Sequence, residues 1–360
     1  MNRLAHLDSL RGLAALAVIY YHVAEFALKT GKVSYPLEGA IFSGLTEWFD
    51  LGKIAVAVFF AISGFVIPYS ILKPREQPLR HFAISRFFRL YPAYWLSIPL
   101  GLLVLHVMIN RPFALPMVLA NITMLQQFIG FQNIIGVYWT LQIELVFYGF
   151  SALLFVLGWL GKPRMVALTT IGFMTAALVL AGLRYWTGKS LPVALPLGLT
   201  VMFWGLLWRY TLERREETAR LFKAVTAAIL VVLLPICLLA YNVDTGFGET
   251  WHKYMISYYA AMAIFLVFTG RIKLTHPVFV FLGTISYSLY LSGPIGQELA
   301  NIMLGDAVRF LPVHVFIALA MLFSIAMSIV SYRLVEAPSV ALGRRISERG
   351  TPLKTASSSP

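Results

Sequence analysis

Apolar residues gather along most of this chain into runs of about 20, the length a helix needs to cross the hydrocarbon core of a bilayer. Ten such runs read as spans, over roughly 10–28, 52–72, 91–110, 136–160, 165–184, 191–209, 222–241, 253–270, 276–299 and 311–334. Polar and basic residues collect in the short gaps between them. The stretch 113–131 is also apolar, but Pro116, Asn121, Gln126 and Gln127 punctuate it, which predicts an interfacial or re-entrant segment. The first run carries His22 and Glu25 near its end and has no small-x-small cleavage site, so it reads as a retained helix rather than a signal peptide. The pattern predicts an all-α polytopic membrane protein, a bundle of about ten transmembrane helices. Residues 4–345 are expected to form one integral-membrane domain, and 346–360 a disordered cytoplasmic tail.

Composition agrees with the pattern. The chain is 59% hydrophobic and 12% charged, with a mean hydropathy of +0.77, whereas soluble domains carry roughly 25% charged residues. A net charge of +13 would invite nucleic acid in a soluble chain. Here Lys and Arg lie in the gaps between spans, so no nucleic-acid partner is expected. With the N-terminus in the cytoplasm, the inner segments hold 19 Lys and Arg and the outer loops 8. That bias follows the positive-inside rule and places both termini in the cytoplasm. The single cysteine, Cys237, excludes a disulfide within the chain and reads as inert packing. No internal repeat is visible, so the inverted-repeat signature of many transporters is missing.

Ionisable groups inside spans are costly and usually face the bundle interior or a wet cavity. Asp8 and Arg11 share a helix face at the inner boundary, a spacing that predicts an interfacial ion pair. His22 lies about 9 Å from the outer end of the same helix at 1.5 Å per residue, with Glu25 one turn away. The two form a candidate base and orienter. In "ISRFFRLYPAYW", Arg86 and Arg89 share a face on the inner side. Their plain reading is topology; the alternative is a phosphate clamp, which uses the planar guanidinium fork. Glu144 lies about 12 Å from the outer end of its helix, with Thr140 and Tyr148 on its face, which predicts the same outer half as His22. Its alternative role is a structural hydrogen bond between helices. Arg333, Glu336 and Pro338 mark the inner end of the last span, where the first two read as an interface pair and the proline as a helix stop. Ser63-Gly64 allows close helix packing.

Taken in order, "LDSLRGLAAL…YYH", "FFAISGFVI", "ISRFFRLYPAYW", "YWTLQIELVFY", "SYSLYL" and "RLVEAP" resemble the successive motifs of the membrane acyltransferase-3 family of bacterial O-acyltransferases. The resemblance runs from about residue 4 to 345. It implies transfer of an acyl group, typically acetyl, from cytosolic acyl-CoA to a hydroxyl of an extracytoplasmic glycan or glycolipid, without a metal, at the bacterial inner membrane. By position, His22 matches the family's catalytic histidine, and Arg86 and Arg89 its Arg-x-x-Arg motif, implicated in handling acyl-CoA. Trp139, Glu144 and Glu336 match further motif positions, and Asp8, Arg11 and Ser63 fall within the first two motifs. Many members have a histidine before the proline that follows "SYSLYL"; this chain has Gly293 there. Some members carry a fused extracytoplasmic esterase-like domain; this chain is read without one, which predicts direct delivery to the acceptor.

On this reading His22 acts as general base or transient acyl carrier. Glu144, or else Glu25, orients it. The rival reading is a proton-coupled transporter of a glycan or small metabolite, because buried His and Glu also build proton relays.

Overall fold

The computed structural model describes residues 5–29, 36–44, 48–213, 215–243, 249–304 and 311–348, and all secondary structure in them is helical. Lys29, at the end of the first helix, is described by its backbone alone. Helix α1 (Ala5–Lys29) is followed by the short α2 (Pro36–Ser43). Then come α3 (Leu51–Val66), the single turn α4 (Tyr69–Leu72) and α5 (Pro78–Leu102). The chain continues through α6 (Leu115–Ile122), α7 (Tyr138–Val156), α8 (Pro163–Thr187), α9 (Ala194–Glu213) and α10 (Arg215–Ala240). The last third holds α11 (Trp251–Gly270), α12 (Pro277–Thr284), α13 (Ser286–Leu304), α14 (Val313–Ser331) and α15 (Ala337–Glu348).

Eight described helical runs are long and apolar enough to cross a membrane, nine if the bent pair α12–α13 counts as one span. That pair turns through 77° at Ile285. The tenth expected span, 191–209, is helical as α9 but lies outside that set. Every residue of α9 from Pro196 to Leu207 is buried, so this helix is wrapped by protein rather than lipid. Its close fit to α3 depends on glycine. A Cβ on Gly64 would run into the Met202 carbonyl oxygen of α9, and one on Gly205 into the Ala61 carbonyl of α3. The two backbones approach as only small residues permit.

The segment 113–131 does not cross. It forms α6 and a 3-10 turn, Gln126–Ile129, whose loose backbone is tied down by side chains. The Tyr94 hydroxyl donates to the Asn121 carbonyl at 2.5 Å, and the Trp95 indole N–H to the Ile122 carbonyl at 2.9 Å. The buried Asn121 side chain donates to Met117 O at 2.8 Å and Gln132 O at 2.9 Å, and accepts from the Ile134 N–H at 3.1 Å. From α7, Gln142 donates to Gln127 and Asn133, both at 3.1 Å. Non-helical backbone is tolerated at membrane depth only when it is satisfied in this way.

The chain end departs from expectation at Pro338. That residue does not stop the helix. A π-helical turn, Tyr332–Glu336, leads from α14 directly into α15. A proline inside a helix removes one backbone hydrogen bond and crowds the preceding turn, and the wider turn just before it accommodates both. Residues 346–348 of the expected tail lie in α15, and 349–360 lie outside the described residues.

Candidate active site

Charged side chains from three helices converge on one cavity. Arg11 comes from α1, Ser63 from α3, Arg86 and Arg89 from α5, and Glu144 and Tyr148 from α7; Tyr287 and Tyr290 of α13 close the remaining wall. Local periodicity explains each contribution. Arg86 and Arg89 are three apart on α5, and Thr140, Glu144 and Tyr148 are four apart on α7, so each set shares one helix face. On α3 the lining runs from Val56 through Phe59, Phe60 and Ser63 to Ile67. Eleven residues of helix span about 16 Å, so the cavity is elongated along α3. Its volume is ≈ 110 Å³, below the roughly 300–1,000 Å³ of pockets that engulf a drug-sized ligand. So small and elongated a space suits a slender chain better than a nucleotide.

The two ends differ in chemistry. Chain connectivity sets Arg86 and Arg89, in the first half of α5, toward the C-terminal end of α3, and Phe59, Phe60 and Tyr290 supply apolar and aromatic wall. Tyr290 is fixed by a 2.8 Å hydrogen bond with the Thr140 hydroxyl and a ring contact of 6.0 Å with Phe59. Glu144 accepts a hydrogen bond from the Tyr148 hydroxyl at 2.6 Å. The Arg86 guanidinium lies over the rings of Phe82 and Tyr148, at 5.7 and 5.8 Å.

Arg89 is ion-paired with Glu336, 247 residues away. Glu336 is fully buried, and its second oxygen accepts from the Ser288 hydroxyl at 2.6 Å and the Ser288 N–H at 3.2 Å. This carboxylate ties α5, α13 and the turn after α14 together. The expected Arg333–Glu336 pair does not form: Arg333 is exposed, and the π-turn aims Glu336 inward. Nor does an ion pair join Asp8 to Arg11, because Arg11 turns into the cavity. In neither case does the closest charge in sequence become an ion-pair partner in space.

His22, Glu25 and Trp139 do not line the cavity. His22 and Glu25 are half-buried on α1, and Trp139 packs edge-on against Phe60 with ring centroids 6.4 Å apart. Glu144 shares the cavity with Arg11, and His22 lies eleven residues beyond Arg11 on α1, about 16 Å along the axis. The cavity nevertheless runs toward His22. A Cβ on Gly52 would lie 2.8 Å from the ring of Tyr21, the neighbour of His22, so this part of α1 packs on the first turn of α3. Val56, at the aromatic end, is one turn from Gly52.

Gly293 packs against Ile19 of α1, three residues before His22. A Cβ there would meet Ile19 Cγ1 at 2.9 Å, so Ile19 fills the space that a larger side chain would need. The contributions of Tyr287, Ser288 and Tyr290 were missed from sequence, although the "SYSLYL" motif carries all three. Among the described residues no cluster of His, Cys, Asp and Glu has metal-binding geometry.

A multi-pass arrangement of apolar helices around an internal charged cavity defines a membrane protein with a built polar site. The chain belongs to the acyltransferase-3 family: the profile described as an acyltransferase domain matches residues 4–333. It is an acyltransferase enzyme. The chain is 25% identical over 309 residues to ORF330 of Acidianus two-tailed virus, named as an acetyltransferase, covering 84% of this chain and 87% of that one. It is 26% identical over 325 residues to the peptidoglycan O-acetyltransferase OatA of Listeria monocytogenes, covering 79% of this chain and 48% of that larger protein. A third similarity, 32% over 102 residues, is to protein 2 in the picA locus of Rhizobium radiobacter, covering 28% of this chain and 44% of that one. No solved structure matches the chain.

Proposed function

We propose that this protein moves an acetyl group from cytosolic acetyl-CoA to a hydroxyl of an extracytoplasmic glycan, such as exopolysaccharide or O-antigen, at the bacterial inner membrane. The observation that carries this reading is the narrow cavity along α3, cationic at the Arg86 and Arg89 end and ending one turn short of the Tyr21–Gly52 contact beside His22. A CoA thioester is a bulky anionic nucleotide on a slender arm, and the cavity's width and charge suit such a molecule. The nucleotide stays outside near the arginines while the arm carries the thioester toward His22.

The chemistry follows from that placement. His22 takes the proton from the acceptor hydroxyl as its oxygen attacks the thioester carbonyl, the carbon–sulfur bond breaks, and the proton passes to the CoA thiolate. As an alternative first step, the imidazole nitrogen attacks the thioester carbonyl and the CoA thiolate leaves; the acceptor hydroxyl then attacks the acetyl-imidazole, the carbon–nitrogen bond breaks, and the hydroxyl proton passes to the thiolate. The names of the relatives support an acetyl group and a glycan acceptor, since OatA is named for peptidoglycan O-acetylation. Inside-out membrane vesicles fed radiolabelled acetyl-CoA test the reading. Wild type should label glycan, His22→Ala should label none, and Glu144→Gln should fall on the order of 10²-fold if the carboxylate takes part in proton transfer, with all three inserted equally. Equal labelling by wild type and His22→Ala would refute the assignment.

A further inference from the structure

We propose that the groove between the inner ends of α9, α10 and α11 binds an anionic phospholipid of the cytoplasmic leaflet, with an acyl chain in the groove and the phosphate on Arg271. The groove shares no lining residue with the charged cavity, and the inference does not depend on the acyl-CoA reading.

Trp208 and Leu212 of α9, Ala219 of α10, and Leu266 and Val267 of α11 wall a groove of ≈ 520 Å³, and Arg271, just past α11, stands in its lining. That volume lies within the roughly 300–1,000 Å³ of ligand pockets. Unlike α9, helices α10 and α11 are peripheral: only 33% and 39% of their apolar windows are buried. Their free flanks face the bilayer, so lipid reaches the groove between them. The groove's other polar groups are already engaged. The Trp208 indole N–H donates to the Thr269 hydroxyl at 2.8 Å, and the Thr211 hydroxyl to the Leu207 carbonyl at 3.0 Å. A ligand therefore finds apolar wall and one guanidinium, which selects a hydrocarbon body with an anionic head. Arg271 is exposed, and among the described residues it has neither an ion pair nor a side-chain hydrogen bond. The same holds for Lys273 and for Arg220 and Lys223 in the first half of α10. All three lie within four residues of the lining. Glu213, which follows Leu212, is held by Arg209 at 3.1 Å and by the Tyr69 hydroxyl, so it does not cancel them. The bias of basic residues, 19 inside to 8 outside, sets this end of the three helices at the cytoplasmic face. Basic pockets between helices on that face suit the anionic headgroups of its leaflet. An amphipathic Trp208 ring and the long Arg271 side chain belong at headgroup depth.

The test titrates the purified whole chain in detergent with palmitoyl-oleoyl phosphatidylglycerol and, separately, with phosphatidylcholine of the same chains, and follows bound lipid by native mass spectrometry. Wild type should bind phosphatidylglycerol roughly tenfold or more tighter than phosphatidylcholine, and the anionic lipid alone should raise its thermal midpoint. Arg271→Gln should weaken phosphatidylglycerol roughly fivefold, and adding Lys223→Gln should weaken it roughly fivefold again. Ala219→Trp fills the groove and leaves every charge in place, so it should also lose the tightly bound lipid. Arg345→Gln removes an exposed cation on α15 and should keep the Kd within roughly twofold of wild type. Equal affinity for the two lipids, wild-type affinity in Arg271→Gln, or a loss in Arg345→Gln as large as in Arg271→Gln would overturn the proposal. Glycerol phosphate binding as tightly as the whole lipid would make the groove a site for a soluble anion and overturn it as well.

Discussion

Glu336 is the residue on which most of the site's geometry depends. It compensates Arg89, accepts two hydrogen bonds from Ser288, and is fully buried. Glu336→Ala removes all three at once and strands a cation, so it should destabilise the protein by about 3–5 kcal/mol. Denaturant titration in detergent measures this, and a loss below about 1 kcal/mol would mean that the pair is dispensable. The individual charges were legible in sequence, because an Arg-x-x-Arg face and a lone glutamate inside apolar runs are costly unless used. Their partners were not legible. Arg89 and Glu336 are 247 residues apart, and the local spacings Asp8/Arg11 and Arg333/Glu336 pointed to pairs that the fold does not make. Charge spacing on one helix reports only what that helix offers. Helix packing decides the partner.

At the scale of elements, hydrophobic run length located nearly every long helix, because a buried backbone in a membrane leaves few alternatives to a helix. Run length says nothing about bends inside an apolar stretch. The 77° turn between α12 and α13 falls within a run that stays apolar on both sides, and the π-turn before Pro338 was read as a helix end. The segment 113–131 was half legible: its punctuating polar residues were visible, but the hydrogen bonds that hold it come from α5 and α7. The α3–α9 contact gives a sharp prediction. Gly64→Val puts a branched side chain where the Met202 carbonyl stands, so folded, monodisperse protein should be lost on size exclusion. Ser63→Ala, one residue earlier and facing the cavity, should fold normally. Normal elution of Gly64→Val would show that α3 and α9 pack less closely than described.

For the whole molecule, the account requires a cytoplasmic entrance and an extracytoplasmic exit. The charge bias of the sequence predicts the termini and basic loops inside, since 19 of the 29 Lys and Arg fall in those segments. Cys237 is the sole cysteine and is buried, so introduced thiols report sidedness with little background. Arg75→Cys and Arg271→Cys should react with an impermeant maleimide only from the cytoplasmic side, and Lys189→Cys only from outside. Reversal of this pattern would invert the orientation and move the cationic end of the cavity away from the cytosolic donor. The most direct measurement compares inside-out with right-side-out vesicles, each given external radiolabelled acetyl-CoA, and follows label in glycan on both sides of the membrane. The account predicts labelled glycan from inside-out vesicles alone, enclosed in the lumen and protected from added glycosidase. Labelling from right-side-out vesicles, or label confined to the donor side, would contradict transfer through the bundle.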